Sequence, residues 1–234
     1  AISLAAGAGL RGVNVRHARN VWELDAAGHL VLHPYPFAIR GLGADVTVAD
    51  VILPNAWHGI DLGSVRCDRA QIVGLWGTSY RVGLRVGAGS DRVRLENINF
   101  DIGPLTSDFR LLTQFPEPSG PEKRKILQQV LTDHAVSFVL GDCTNLKTFD
   151  LAGFAPHRFM EFIDQGSGGC RDAEFWSSIF DVPAVEMARF TAGGTIDFLG
   201  LFVTGGGNGT SLWAEFDDSF RGQVSVYGLS QQRR

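Results

Sequence analysis

Apolar and polar positions alternate over three short stretches of this chain, and the stretches repeat. Residues 45–51, 69–75 and 92–98 each carry apolar residues at the second, fourth and seventh positions and a small or polar residue at the sixth. Alternation predicts a β-strand. The first apolar positions, Val46, Ala70 and Val93, are 24 and 23 residues apart. A fixed period of this length, with no helix inside it, predicts stacked repeats, each period forming one coil of a parallel β-helix. A second strand sits inside each period, at 59–63 and again at 83–87. The pattern returns after an interruption at 145–151, 172–178, 195–201 and 223–229, with second strands at 160–162, 185–187 and 212–214.

Alternation also sorts the faces. On the first strand one outward column reads Thr47, Gln71, Arg94, Lys147, Glu174, Asp197, Ser225. The next reads Ala49, Val73, Glu96, Phe149, Trp176, Leu199, Tyr227. On the second strand the expected outward column is Asp61, Arg85, Val139, Glu161, Glu186, Trp213. Each of the three cysteines stands three residues before the first apolar position of its coil, so Cys143 and Cys170 are expected on neighbouring rungs about 4.8 Å apart. Either a disulfide or two buried thiols satisfies that spacing. The interruption, 101–135, is rich in proline and then helix-like from Glu122 to His134. Ser119 is its expected cap and Ile126, Leu127 and Val130 its apolar stripe. The chain is therefore expected to form one all-β domain over 1–234, a solenoid with one partly helical insertion.

Composition narrows the function classes. With 44 % apolar residues the chain is globular. A formal net charge of −4 and only three lysines argue against a nucleic-acid binder. No apolar run reaches bilayer length, so no membrane partner is expected. The sequence opens on Ala1 without an initiator methionine or a charged leader, which suggests a processed or excised chain from which any export signal is already gone. Neither paired-cysteine zinc spacing nor His-Glu-x-x-His occurs, and no metal site is expected. The glycine-rich run 205–209 lacks the lysine ending of a phosphate loop and reads as a turn.

Candidate chemistry lies on the outward positions. Trp57, His58, Trp76, Tyr80, Arg81 and His157 fall in the turn between the two strands of their coils. Two readings stay open: these rings form a sugar-binding surface, because sugar C–H faces stack on rings while charged groups hydrogen-bond hydroxyls, or they cover the flank beneath the insertion. Glu161 and Glu186, as expected rung neighbours, either stand as two solvated glutamates on a rung face or form the acid and base of a glycosidase, with Asp181 as a further acid. Asp61 beside Arg85 and Lys147 beside Glu174 read as structural ion pairs. Phe149, Trp176, Leu199 and Tyr227 read as an apolar stripe covered by another segment or a second subunit.

Residues 37–41, 55–63, 67–68 and 94–100 resemble the pectate-lyase-like superfamily, nearest to bacterial proteins with a pectate-lyase-3 type β-helix domain. The resemblance runs over roughly 37–230 and rests on the coil pattern. It implies a right-handed parallel β-helix and extracellular polysaccharide chemistry. The polygalacturonase signatures Asn-Thr-Asp and Gly-His-Gly are missing, as is a lyase Arg-x-Pro-x-x-Arg, and the single Asp-Asp pair, Asp217-Asp218, stands without them, so no catalytic residue is carried over. Three functions stay open. The leading expectation is a secreted or cell-surface glycoside hydrolase acting on a polysaccharide without a cofactor. The second is a polysaccharide lyase acting on a uronate polymer, with Arg81, Arg85 or His157 as base and a divalent cation as an optional aid. The third is a non-catalytic glycan-binding or adhesive β-helix, oligomeric through its apolar stripe.

Overall fold

The computed structural model describes residues 1–20, 23–101, 121–181, 183–204 and 212–232. The repeats stack as expected into a parallel solenoid with three faces. The first sheet runs through strands Gly9–Arg11, Thr47–Leu62, Gln71–Val86, Arg94–Phe100, Lys147–Phe154, Ala173–Asp181, Thr195–Thr204 and Gln223–Tyr227. The second runs through Ile2–Leu4, Phe37–Gly41, the distal halves of Thr47–Leu62 and Gln71–Val86, then Val136–Leu140, Arg158–Phe162, Glu186–Phe190 and Leu212–Phe216. Short strands Ser90–Asp91, Cys143–Thr144 and Cys170–Arg171 make the third.

Why this sequence coils is visible in three inward columns. Val46, Ala70, Val93, Leu146, Ala173 and Ile196 stack over one another, each at most 1 % exposed. Val48, Ile72, Leu95, Thr148, Phe175 and Phe198 form the second column, and Val51, Leu75, Ile98, Leu151, Ser178 and Leu201 the third. The second and third columns are three residues apart, which strict alternation would put on opposite faces. The residue between them resolves this. Asp50, Gly74, Asn97, Asp150, Ser177, Gly200 and Gly228 all adopt positive φ, between 52° and 77°. Left-handed geometry turns the chain and returns the next apolar residue to the core. Glycine, asparagine and aspartate are the residues that accept it most cheaply.

The core is aromatic toward the C-terminal coils. Phe162, Phe190 and Phe216 stack rung upon rung at 4.5 and 4.9 Å, and Phe175 lies on Phe198 at 4.8 Å. On the third face Cys170 pairs with Cys143, and Ser90 fills the same slot one coil earlier. Cys67 donates its backbone N–H to the Ser90 hydroxyl at 2.8 Å. All three cysteines are free and buried, so the two-thiol alternative is the one seen.

Two expectations are corrected. In the first two complete coils no turn separates the strands: Thr47–Leu62 and Gln71–Val86 are continuous, with register shifts near Leu53, Ala56 and His58. Asn55 makes this tolerable inside the wall, accepting the His17 N–H and donating to the His17 and Asn20 carbonyls. In the insertion the helix spans Pro121–His134, and its buried contacts are Leu127 and Leu131 against Tyr80 and Ala135, with Val130 partly buried. The expected cap at Ser119 and the glycine-rich run 205–209 lie outside the described residues.

Phe162→Ala removes a ring stacked on the rung above and lying over Phe175. It should cost about 3–5 kcal/mol in denaturant unfolding, whereas Asp150→Gly, at a left-handed corner, should cost almost nothing.

Candidate functional site

The second sheet carries a column of alternating charge: Arg40, Asp61, Arg85, Val139, Glu161, Arg189 and Glu215 are successive ladder partners. This matches the expected column through Glu161 and departs after it. The rung neighbour of Glu161 is Arg189, not Glu186, and Glu215 replaces Trp213. Glu186 pairs instead with Leu212. The reason is a longer connection. Val46 to Asp61, Ala70 to Arg85 and Leu146 to Glu161 each span 15 residues, while Ala173 to Arg189 spans 16.

Glu161 and Glu186 still meet, through a third residue. Arg158 donates from Nη1 to Glu161 and from Nε to Glu186. The Glu186 and Arg158 side chains are 5 % and 10 % exposed. A guanidinium thus occupies the space between the two carboxylates where a scissile bond would sit. The arrangement is an ionic triad tying two coils together, buried at Arg158 and Glu186 and partly exposed at Glu161. Asp181 accepts a hydrogen bond from the Thr204 hydroxyl of the next rung.

The expected sugar-binding residues divide into three groups. Trp57, His58 and Arg81 come together: Arg81 Cζ lies 5.1 Å from the Trp57 ring centroid, and His58 stacks on Phe37 at 4.8 Å. Desolvation, then the charges of Arg85 and Arg81, pull the His58 imidazole below its ordinary range. Tyr80 and His157 instead hold the helix. Tyr80 is buried under Leu127 and Leu131, and burial pushes its hydroxyl well above the usual tyrosine range. His157 donates from Nδ1 to the Thr132 carbonyl at 2.9 Å. Trp76 stands elsewhere, on the first sheet beside Asn99, in a depression with Asp50 and Asn97.

A further groove joins residues that the sequence pattern sets apart as an ion pair and an apolar stripe. On the outer face of the first sheet an open groove of about 820 Å³ is lined by Arg69, Gln71, Arg92, Arg94, Asn145, Lys147, Phe149, Glu174 and Trp176. Four coils contribute, because Gln71, Arg94, Lys147 and Glu174 are successive rungs of one column. Phe149 and Trp176 form the floor, their rings near parallel (14°) at 6.4 Å, with Arg94 Cζ 5.1 Å from the Phe149 centroid. Trp176 is 40 % exposed, and no described segment covers it.

Arg69 and Arg92 enter from the corner. Both have φ of 56°, in a column where Asp45, Asn145 and Asp172 take the same left-handed geometry. An arginine there costs about 1–2 kcal/mol that asparagine or aspartate largely avoids. Strain of this kind at a cleft points to a requirement for the side chain itself.

Each cation has an acidic partner. Arg69 forks onto Asp45 at 2.6 and 2.7 Å, Arg92 reaches Asp91 at 2.8 Å, Arg94 reaches Glu96 at 2.7 Å, and Lys147 bonds Glu174. Of the four carboxylates only Glu174 lines the groove, so its walls present four cations to one anion. Lys147, and then the Trp176 indole N–H, hold the Glu174 carboxyl below its usual range. Hydrogen bonds from Asn145 and Thr144 do the same for Asp91. Among the described residues no cluster of three or more histidine, cysteine or carboxylate side chains is placed to hold a metal ion.

Two outcomes follow from this geometry. Arg158→Met leaves Glu186 buried without its partner and should cost about 3–5 kcal/mol in denaturant unfolding. Lys147→Met should raise the pH at which Glu174 titrates, read from its side-chain carboxyl carbon by NMR; an unmoved titration would show that Lys147 does not hold it.

No family model matches this sequence, and no curated protein does. By structure the chain is similar to an alginate lyase from Paenibacillus sp. str. FPU-7, with 12 % identity, a TM-score of 0.31, and coverage of 97 % of this chain and 91 % of that one.

Proposed function

We propose that this protein is a polysaccharide lyase that binds an acidic polymer along the outer face of its first sheet and cleaves it by β-elimination. One observation carries the reading: Arg69, Arg92, Arg94 and Lys147 converge on an open groove floored by the stacked Phe149–Trp176 pair. Rings suit the apolar face of a sugar, and arginines suit its carboxylate. Elimination needs cations where the substrate carboxylate takes on enolate charge. Glycosidic hydrolysis instead needs a carboxyl group that holds a proton near neutrality, and the groove's own carboxylate is pulled the other way.

Glu174 and Lys147 can complete a proton cycle. Glu174, ionised, takes the proton alpha to the substrate carboxylate. The carbon–oxygen bond to the leaving sugar breaks, and the Lys147 ammonium protonates the departing oxygen. The direct bond between the two side chains then returns the proton from Glu174 to Lys147. Arg92 and Arg94 hold the substrate carboxylate. Polymers of this kind are met outside the cytoplasm, so the reading carries with it a secreted or cell-surface setting.

Incubation with polygalacturonate, alginate and glucuronate-containing polymers, followed by ultraviolet absorbance of unsaturated uronate ends, tests this. The expected result is product formation that Glu174→Gln lowers about 100-fold or more, while Arg94→Ala raises KM. Reducing ends without unsaturation would establish hydrolysis and overturn the assignment. Tight binding with no product from any polymer would make the chain a glycan-binding element.

A further inference from the structure

The groove does not stop at Trp176. Two outward columns run side by side to the last coil, and their character changes along the axis. The first reads Gln71, Arg94, Lys147, Glu174, Asp197 and Ser225, passing after Gln71 from cationic through acidic to neutral. The second continues from Phe149 and Trp176 through Leu199 to Tyr227. Trp176 and Tyr227 are 40 % and 57 % exposed, two rungs apart or about 10 Å. Asp197 has no cationic partner among the described residues. Beside these columns the corner positions are small, Ser177, Gly200 and Gly228, which leaves the ledge open.

Building on the proposed groove, we propose that Trp176, Leu199, Tyr227, Asp197 and Ser225 form a second subsite for uncharged sugars. The polymer taken is then a heteropolysaccharide in which acidic residues are followed by neutral ones. Each rung of this stretch offers an apolar surface for the C–H face of a sugar and, two residues away, an oxygen to accept its hydroxyl protons. A homopolymer of uronates would instead set a carboxylate against Asp197, with no cation to offset it. The same alternation argues against a second copy of the chain as occupant, since the core of a permanent interface is more uniformly apolar and depleted of charge.

Affinity electrophoresis of the full chain tests this with two soluble polymers, deacylated gellan fragments, in which one glucuronate accompanies three neutral sugars, and polygalacturonate. The wild type should bind gellan about tenfold more tightly, a gap of about 1.4 kcal/mol. Tyr227→Ala should weaken gellan binding and leave polygalacturonate unchanged, and Asp197→Lys should narrow the gap by strengthening polygalacturonate. Equal binding of both polymers by the wild type, or a gap that Asp197→Lys leaves untouched, would overturn the second subsite. Arg94→Ala separates the two readings. If it leaves both polymers bound, the groove itself is misassigned; if it abolishes binding while Tyr227→Ala and Asp197→Lys change nothing, only the extension fails. A dimer in sedimentation velocity that Tyr227→Ala dissociates would give the stripe to a second copy and also overturn the proposal.

Discussion

Everything in this molecule depends on in-register parallel stacking. A residue lies over its counterpart one coil below, about 4.8 Å away, and hydrogen-bonds to that neighbour's backbone. The constraint falls on columns, not on single positions. Inward columns must be apolar at nearly every coil. Corner columns must accept left-handed backbone at every coil, as at Asp50, Gly74, Asn97 and Asp150. Where a polar residue enters an inward slot it is hydrogen-bonded: Ser90, in the cysteine column, donates its hydroxyl to the Gly87 carbonyl and accepts the Cys67 N–H.

The same constraint writes the functional surface. Outward side chains do not form isolated clusters; they form ladders, and a ladder of alternating charge ties coils together. Arg40, Asp61 and Arg85 do this on the second sheet, at 3.5 and 3.0 Å. The Arg158 triad does it where the wall is buried. Asp61, Arg158 and Glu186 are buried, so these links are costly to break, and they fix which charges face one another. The first sheet departs from the pattern. Its cations gather over three neighbouring coils, most of their carboxylate partners sit off the groove, and two of the cations occupy strained corners. A face built only for stability would need neither the strain nor the exposed indole of Trp176.

Much of this was legible in the sequence. Both outward columns of the first sheet, from Thr47 and Ala49 to Ser225 and Tyr227, follow from counting, because two inward apolar positions bracket each outward residue. The facing of Cys143 and Cys170 follows the same way. The second sheet was less legible. After Glu161 the count slips, since the connection leading to Arg189 gains a residue and neither Glu186 nor Arg189 is marked by alternation alone. For Tyr80 and His157 the sequence left a sugar surface and packing beneath the insertion both open, because a periodic pattern does not say which residues a docked helix covers; the helix takes these two. The groove was hidden for another reason. Lys147–Glu174 reads as one ion pair, and Phe149–Trp176 as an apolar stripe; only their convergence with Arg69 and Arg92 makes a site. The available signal was arginine in a slot that elsewhere holds aspartate or asparagine.

The most direct test is the position of an acidic oligosaccharide on the folded chain, mapped by NMR with a uronate-containing tetrasaccharide. The account predicts perturbations at the Trp176 indole N–H and the Arg92 and Arg94 guanidinium groups, with Trp57, Arg81 and His58 unchanged. Perturbations confined to Trp57, Arg81 and His58, or to the Arg158 triad, would contradict it.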